Sequence, residues 1–215
     1  MIIGVPTEVK DNEFRVGLTP GNVSGLVAQG HAVLIQRGAG QQIGLTDELY
    51  RSAGASLVES ATEVYAKSQL VVKVKEPQPQ ECAMLREDQI LFTYLHLAPD
   101  PMQTKALLSS GSSCIAYETV TSRAGTLPLL APMSEVAGRM SIQAAAAQME
   151  KSHGGPGILL AGIPGVAAAK VVILGAGVVG RNALQMAVGI GADVCIIDKD
   201  LDRLRQIDAA YGNRV

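Results

Sequence analysis

The sequence predicts an α/β fold with a mostly parallel sheet, because short apolar runs alternate with helical stretches from one end to the other. Two further observations support this. Several helical stretches open on a capping residue and close on glycine. The alternation is also interrupted near residue 130 and then restarts, which divides the 215 residues into segments 1–130 and 131–215.

"IIGVP" reads as the first strand. After an irregular loop, "TPGNVSGLVAQG" reads as a helix, with Thr19 as cap, Pro20 in the first turn and Gly30 as stop. "AVLIQ" is the second strand, and "TDELYRSAG" repeats the helical logic with Thr46 as cap and Gly54 as terminator. "LVVKVK" (70–75) is a further strand halted by Glu76-Pro77, and "QILFTYLH" (89–96) is another. In "PDPMQTKALLSSG", Asp100 caps, Pro101 fits the first turn and Gly111 ends the helix; the strand "SCIAYETV" follows. Past Pro128, "SEVAGRMSIQAAAAQMEKS" reads as a long alanine-rich helix capped by Ser134 and closed by "HGGPG". The second half then runs strand, helix, strand through "KVVILGAGVVGRNALQMAVGIGADVCIID". Both halves alternate alike without residue-level repetition.

Composition narrows the function. With 47% hydrophobic residues the chain can bury a substantial core, and a formal net charge of -2 with no basic run argues against nucleic acid or an anionic membrane as partner. Seven aromatic residues and no Trp leave no base-stacking platform. Cys82, Cys114 and Cys195 are odd in number and widely spaced, which argues against a disulfide framework or a zinc cluster and fits a reducing cytoplasm. The start lacks the basic head and long apolar body of a signal peptide. The apolar stretch 157–180 is broken by Pro164, several glycines and Lys170, so it does not read as a spanning helix.

"VVILGAGVVG" carries the most informative spacing, Gly175-x-Gly177-x-x-Gly180. Alone it is a weak signal. Here it follows a buried strand, opens a helix and is followed by a second strand ending in Asp198, 18 residues past Gly180. Gly175 allows the tight turn, Gly177 lets a diphosphate approach the backbone, and Gly180 lets helix and strand pack closely. The helix start offers N–H groups and a positive dipole end. Asp198 would accept hydrogen bonds from ribose hydroxyls and repel a 2′-phosphate, which favours NAD over NADP; Arg203 nearby complicates that preference. The competing reading is a glycine-rich turn without ligand, which the complete βαβ context disfavours.

A dinucleotide domain carries hydride, so the first half is expected to hold the substrate. Arg15, Lys75 and His96 all lie where strands hand over to loops, the place where open α/β sheets bind ligands. Arg offers a fork to a carboxylate, Lys adds charge, and His exchanges a proton near neutral pH. Position alone leaves each open to a structural role. Lys73 and Lys75 share the same strand parity, so period does not choose between them. His31 and His153 read as structural.

Taken together, the segments "MIIGVPTEVKDNEFRVGLTP", "HAVLIQRGAGQQIGLTDELYRSAGA", "VVKVKEP", "LFTYLHLAPD", "AYETV", "APMSEVAGRMSIQAAA", "GILLAGIPGV" and "KVVILGAGVVG" resemble the alanine dehydrogenase and transhydrogenase alpha-subunit family over the whole chain. The resemblance implies a Rossmann-like substrate-binding domain over 1–130 and the first βαβ of an NAD-binding Rossmann domain over 131–215. It implies reversible oxidation of L-alanine with NAD to pyruvate and ammonium. Arg15 would grip the substrate carboxylate, Lys75 would bind beside the reacting carbon, and His96 would be the acid–base group. Ser134, Val178 and Val179 would join Gly175, Gly177 and Gly180 in contacting NAD, with Asp198 at the adenosine ribose and Arg203 close by. No metal is implied. Family members are cytoplasmic homo-oligomers, typically hexamers.

Two alternatives remain at this point: the NAD(H)-binding subunit of a proton-translocating transhydrogenase, and a non-catalytic NAD-binding remnant. "YLHLA" with its histidine, and "AYETV" followed by "PMSEVAGRMS", favour the dehydrogenase. The sequence supplies two strands of a dinucleotide fold that has about six. The expectation is therefore a fragment, inactive on its own.

Overall fold

The computed structural model describes residues 1–215. By internal packing the chain forms two units, Met1–Val120 and Thr121–Val215. No helix is long and apolar enough to cross a membrane.

The first unit is an α/β layer structure on one six-stranded, wholly parallel sheet. Its strands are β1 (Ile2–Val5), β2 (Ala32–Gln36), β3 (Ser56–Val58), β4 (Leu70–Val72), β5 (Ile90–Thr93) and β6 (Ser113–Ala116), in the spatial order β3-β2-β1-β4-β5-β6. Helices cover both faces. On one, Val23 of α1 (Pro20–Ala28) and Tyr50 of α2 (Asp47–Ser52) pack on Ile3, Val5, Val33 and Ile35. Gly4 points to the other face, where a Cβ would stand 2.6 Å from Val64 of α3 (Ala61–Lys67). There Tyr65 of α3, Cys82 of α4 (Pro79–Cys82) and Leu107 of α5 (Pro101–Ser110) cover Val71 and Leu91.

The caps follow the sequence. The Thr19 side chain accepts from the Asn22 N–H and Asn22 reaches back to the Thr19 N–H, a reciprocal cap at the start of α1. Thr46 and Asp100 cap α2 and α5, and Gly111 ends α5 in the left-handed conformation.

Three expectations need correction. The strand expected over 70–75 stops at Val72, and the one expected over 89–96 stops at Thr93. The alternating pattern continues, but β1 has already left the sheet at Pro6, so β4 has no partner to extend against on that side. Thr93 is followed by a turn that leaves His96 in the left-handed region at φ 49°. The strand "SCIAYETV" likewise ends at Ala116 and becomes a 3-10 turn over Tyr117–Thr119.

The second unit contains α6 (Ala131–Gln148), β7 (Lys170–Leu174), α7 (Val178–Gly189), β8 (Asp193–Ile197) and α8 (Leu201–Tyr211). β7 and β8 pair in parallel from Lys170↔Asp193 to Leu174↔Ile197. Its core joins Ile142 of α6, Ile173 of β7, Ala183, Leu184 and Ala187 of α7, and Ile207 of α8. The long helix begins earlier than the sequence suggested. Ser134 lies within α6, because the chain turns helical at Ala131 with a proline in the first turn, and Leu130 occupies the cap.

Candidate active site

In the first unit, strand order places the topological switch between β1 and β4, where adjacent connections leave in opposite directions. The loop after β1 carries Arg15, the chain after β4 carries Lys75, and the turn after β5 carries His96. This loop is long and has none of the glycine spacing of a dinucleotide turn. Gly17 lets it lie on the end of β4, since a Cβ there would come 2.6 Å from the Val72 carbonyl oxygen. The Tyr50 hydroxyl anchors it by donating to the Leu18 carbonyl at 2.8 Å, and burial pushes the Tyr50 pKa up to about 12.

Arg15 meets a carboxylate already. Its Nε donates to Glu13 Oε1 at 2.8 Å and an Nη to Glu13 Oε2 at 2.5 Å. This fork holds Glu13 below the usual carboxylate range and raises the arginine, with Lys75 adding a smaller pull on Glu13. The Arg15 side chain is about half-exposed. The Tyr94 hydroxyl lies within the field of Arg15, although burial dominates and raises its pKa.

Burial distinguishes the two lysines. Lys73 is 1% exposed and paired on both sides, with Glu8 at 3.2 Å and Glu81 at 2.6 Å. Lys75 is only half-buried. His96 is exposed, and its ring stacks on Tyr94 with centroids 6.1 Å apart and planes 17° apart. Tyr94 in turn meets Tyr117 edge-on at 4.9 Å.

Sequence reasoning passed over two carboxylates that shape these positions. Glu118 accepts the backbone N–H groups of Leu95 at 3.0 Å and His96 at 2.7 Å. It thereby holds the left-handed turn that presents the imidazole. Glu8 accepts those of Val74 at 2.7 Å and Lys75 at 3.3 Å. No periodicity marks either residue, because each bonds to backbone brought close only by the fold.

The second unit builds its feature from backbone. Gly175 sits at φ +101°, a conformation that favours glycine. A Cβ on Gly180 would lie 1.7 Å from the Gly175 carbonyl oxygen, so only glycine lets α7 start this close to β7. A Cβ on Gly177 would meet nothing within 4 Å, which leaves open space beside the loop. No side chain caps α7, which leaves its first N–H groups without a side-chain acceptor. Ser134 lines the same cleft as Gly175, Gly177, Val178, Val179 and Gly180, with a volume of about 630 Å³. Gly138, which the sequence reading did not single out, lets α6 cross α7; its Cβ would stand 2.2 Å from the Val179 carbonyl oxygen.

Asp198 ends β8 and ties the loop down. Its Oδ2 accepts the Ala176 N–H at 2.5 Å and its Oδ1 the Asp200 N–H at 2.8 Å. The bonds from Asp200 and then Ala176 hold the carboxyl below the usual aspartate range. Arg203 stands 3.9 Å from Asp198 and 3.2 Å from Asp200, its charge directed at the two acids.

Residues 4–137 match the family described as alanine dehydrogenase/PNT, N-terminal domain, and residues 141–215 its C-terminal domain. The chain belongs to the alanine dehydrogenase/PNT family. Within it, a protein called alanine dehydrogenase from Bacillus subtilis is 55% identical over all 215 residues, which span 56% of its length. Those of Methanococcus maripaludis and Mycobacterium tuberculosis are 53% and 51% identical, again over the whole chain and over 58% of each relative. A solved L-alanine dehydrogenase superposes with a TM-score of 0.92 at 50% identity, covering all of this chain and 59% of the other. A transhydrogenase from Sinorhizobium meliloti superposes with a TM-score of 0.81 at 25% identity, covering 97% of this chain and 62% of that one.

Proposed function

We propose that the chain supplies the substrate grip and the dinucleotide loop of an NAD-dependent L-alanine dehydrogenase. The reaction is L-alanine, water and NAD+ giving pyruvate, ammonium, NADH and a proton. The functional division is 1–130 for substrate and 131–215 for NAD. The main support is the placement of Arg15, Lys75 and His96 on the segments that follow the adjacent strands β1, β4 and β5, beside the switch point of one sheet, in a chain 55% identical throughout to an alanine dehydrogenase.

The loop residues fit a dinucleotide. Open space at Gly177 admits a diphosphate, and the uncapped start of α7 presents N–H donors. Ser134, Gly175, Val178, Val179 and Gly180 would line it. Asp198 would receive ribose hydroxyls on the lone pairs that the Ala176 and Asp200 amides leave free, with Arg203 beside it. When bound, NAD+ supplies the hydride acceptor.

The remaining chemistry belongs to side chains. Arg15 binds the substrate carboxylate while Glu13 keeps the guanidinium oriented. Lys75 adds a positive donor beside the reacting carbon, favouring charge that builds on the carbonyl oxygen. His96 accepts a proton from the attacking water and returns one to the leaving amine. Tyr94 holds the imidazole plane by stacking. Three free cysteines accord with a cytoplasmic setting, and the family resemblance with a homo-oligomer.

The test is L-alanine-dependent NADH formation by the complete natural protein, followed by absorbance. Alanine-dependent turnover supports the reading. Hydride passage between two nicotinamides without any requirement for alanine supports the transhydrogenase alternative. Saturable NAD+ binding with neither activity supports a binding remnant.

A further inference from the structure

We propose that Glu8 is a positioning residue for Lys75, fixing from beneath the stretch of backbone that presents it; this rests on the substrate role proposed above for Lys75. The geometry is specific. Beyond Val72 the chain leaves the ladder with β1, and Glu8, on the loop after β1, takes the place of the lost strand. Its Oε1 accepts the Val74 N–H at 2.7 Å and its Oε2 the Lys75 N–H at 3.3 Å. On the other side of this segment, the Lys73 N–H still pairs with Phe92 of β5, and the Val74 carbonyl accepts from the Tyr94 N–H just past it. Residues 73–75 are therefore held from both flanks, from one by a strand and from the other by a carboxylate.

Below the backbone lies a closed cluster. Lys73 Nζ is 3.2 Å from Glu8 Oε2 and donates to Glu81 Oε1 at 2.6 Å. Glu81 also receives the Tyr65 hydroxyl at 3.3 Å and the Gln78 N–H at 2.9 Å. The three charged side chains are 1–2% exposed. Two carboxylates against one ammonium is a costly arrangement to bury, and burial raises the Glu8 pKa against the pull of Lys73. Such clusters contribute little net stability compared with apolar packing, so stability alone does not account for Glu8. Its two-point hold on the Lys75 backbone does. The field of Glu8 also reaches Arg15 and Tyr117, which places its charge under the same site.

Glu81 provides the control, since it belongs to the same cluster but bonds to neither Val74 nor Lys75. In the complete natural protein, Glu8→Gln is expected to raise KM for L-alanine about tenfold, with kcat within about threefold and the Kd for NAD+ unchanged. Glu8→Asp keeps the charge toward Lys73 but shortens the reach to the two N–H groups, and should also raise KM. Glu81→Gln should lower the melting temperature at least as much as Glu8→Gln while leaving KM in place. If Glu81→Gln and Glu8→Gln raise KM alike, or neither Glu8 variant raises it, Glu8 is structural only and the proposal fails. Absence of alanine turnover in the unaltered protein overturns the substrate reading and, with it, this one.

Discussion

Arg15, Lys75 and His96 stand on loops shaped by buried or half-buried carboxylates, whereas the turn from Gly175 to Gly180 is shaped by the absence of side chains. In the first unit Glu13, Glu8 and Glu118 each bond to the residue they present, two of them through consecutive backbone N–H groups. In the second unit a single carboxylate, Asp198, ties the loop, and the rest is clearance: a close approach at Gly180 and open space at Gly177. The difference accords with the ligand proposed for each. A diphosphate needs N–H groups and room, which backbone supplies. A small amino acid undergoing proton transfer needs charged side chains held at fixed positions, and these need supports of their own.

Separate substitutions can break each half of this comparison. The largest stability effect is expected for Lys73→Met, which leaves Glu8 and Glu81 facing each other without their cation. Removing one partner of a buried ion cluster costs about 3–5 kcal/mol, so the first unit should melt far earlier while the second keeps its NAD+ affinity. Thermal unfolding with calorimetric NAD+ titration reads both.

Next comes a pair within the glycine loop. Gly180→Ala drives a Cβ against the Gly175 carbonyl and should cost about 3 kcal/mol, the upper end for overpacking, with loss of NAD+ binding. Gly177→Ala meets no protein atom and should leave the melting temperature in place while weakening NAD+ about tenfold, because the added methyl enters the space proposed for phosphate. If the two variants lose stability equally, clearance for a ligand is not what Gly177 provides.

Asp198→Ala should narrow the preference for NAD+ over NADP+ by about tenfold, on the order of one charge-assisted hydrogen bond, read from the two dissociation constants. An unchanged ratio removes Asp198 from the ribose role and leaves it as the tie of the loop.

The smallest effect is in pH, and its sign differs between the units. Glu8 titrates above its ordinary 4.5, so its contribution to stability is full below pH 4.5 and is lost as pH rises through the folded value. Asp198 titrates below its ordinary 3.8, so its contribution is present above pH 3.8 and is lost as pH falls through the folded value. Melting curves should show Glu8→Gln removing a dependence that sets in above pH 4.5, and Asp198→Asn removing one below pH 3.8.

Much of this molecule was legible because local chemistry and fold agree. The caps at Thr19, Thr46 and Asp100 act as their residue types imply, and the loop after β7 follows from three glycines and an acid. Four elements were missed: β3, α3, α4 and α8. β3 is only three residues long, too short for a periodic signal. α3 did carry one, since Ser60 accepts from the Glu63 N–H as its Ser-x-x-Glu spacing implies. Strand ends misled because alternation in "LVVKVK" and "LFTYLH" continues past the point where partners leave. Lys73 and Lys75 could not be told apart by parity, since one meets two buried acids and the other a loop edge, and both environments arise from distant sequence. Glu8, Glu13 and Glu118 read as ordinary loop or strand-end acids; the fold brings Glu8 and Glu118 to their partners, whereas Glu13 meets Arg15 two residues along the chain.

The account rests most heavily on His96, exposed on its turn and oriented by Glu118 and Tyr94. The most direct test is the initial rate of L-alanine-dependent NADH formation by the complete natural protein and its His96→Ala variant. The account predicts a fall in kcat of about 10²–10⁴-fold with melting temperature and NAD+ affinity retained. A variant that turns over alanine at close to the natural rate, with the same pH profile, would contradict it.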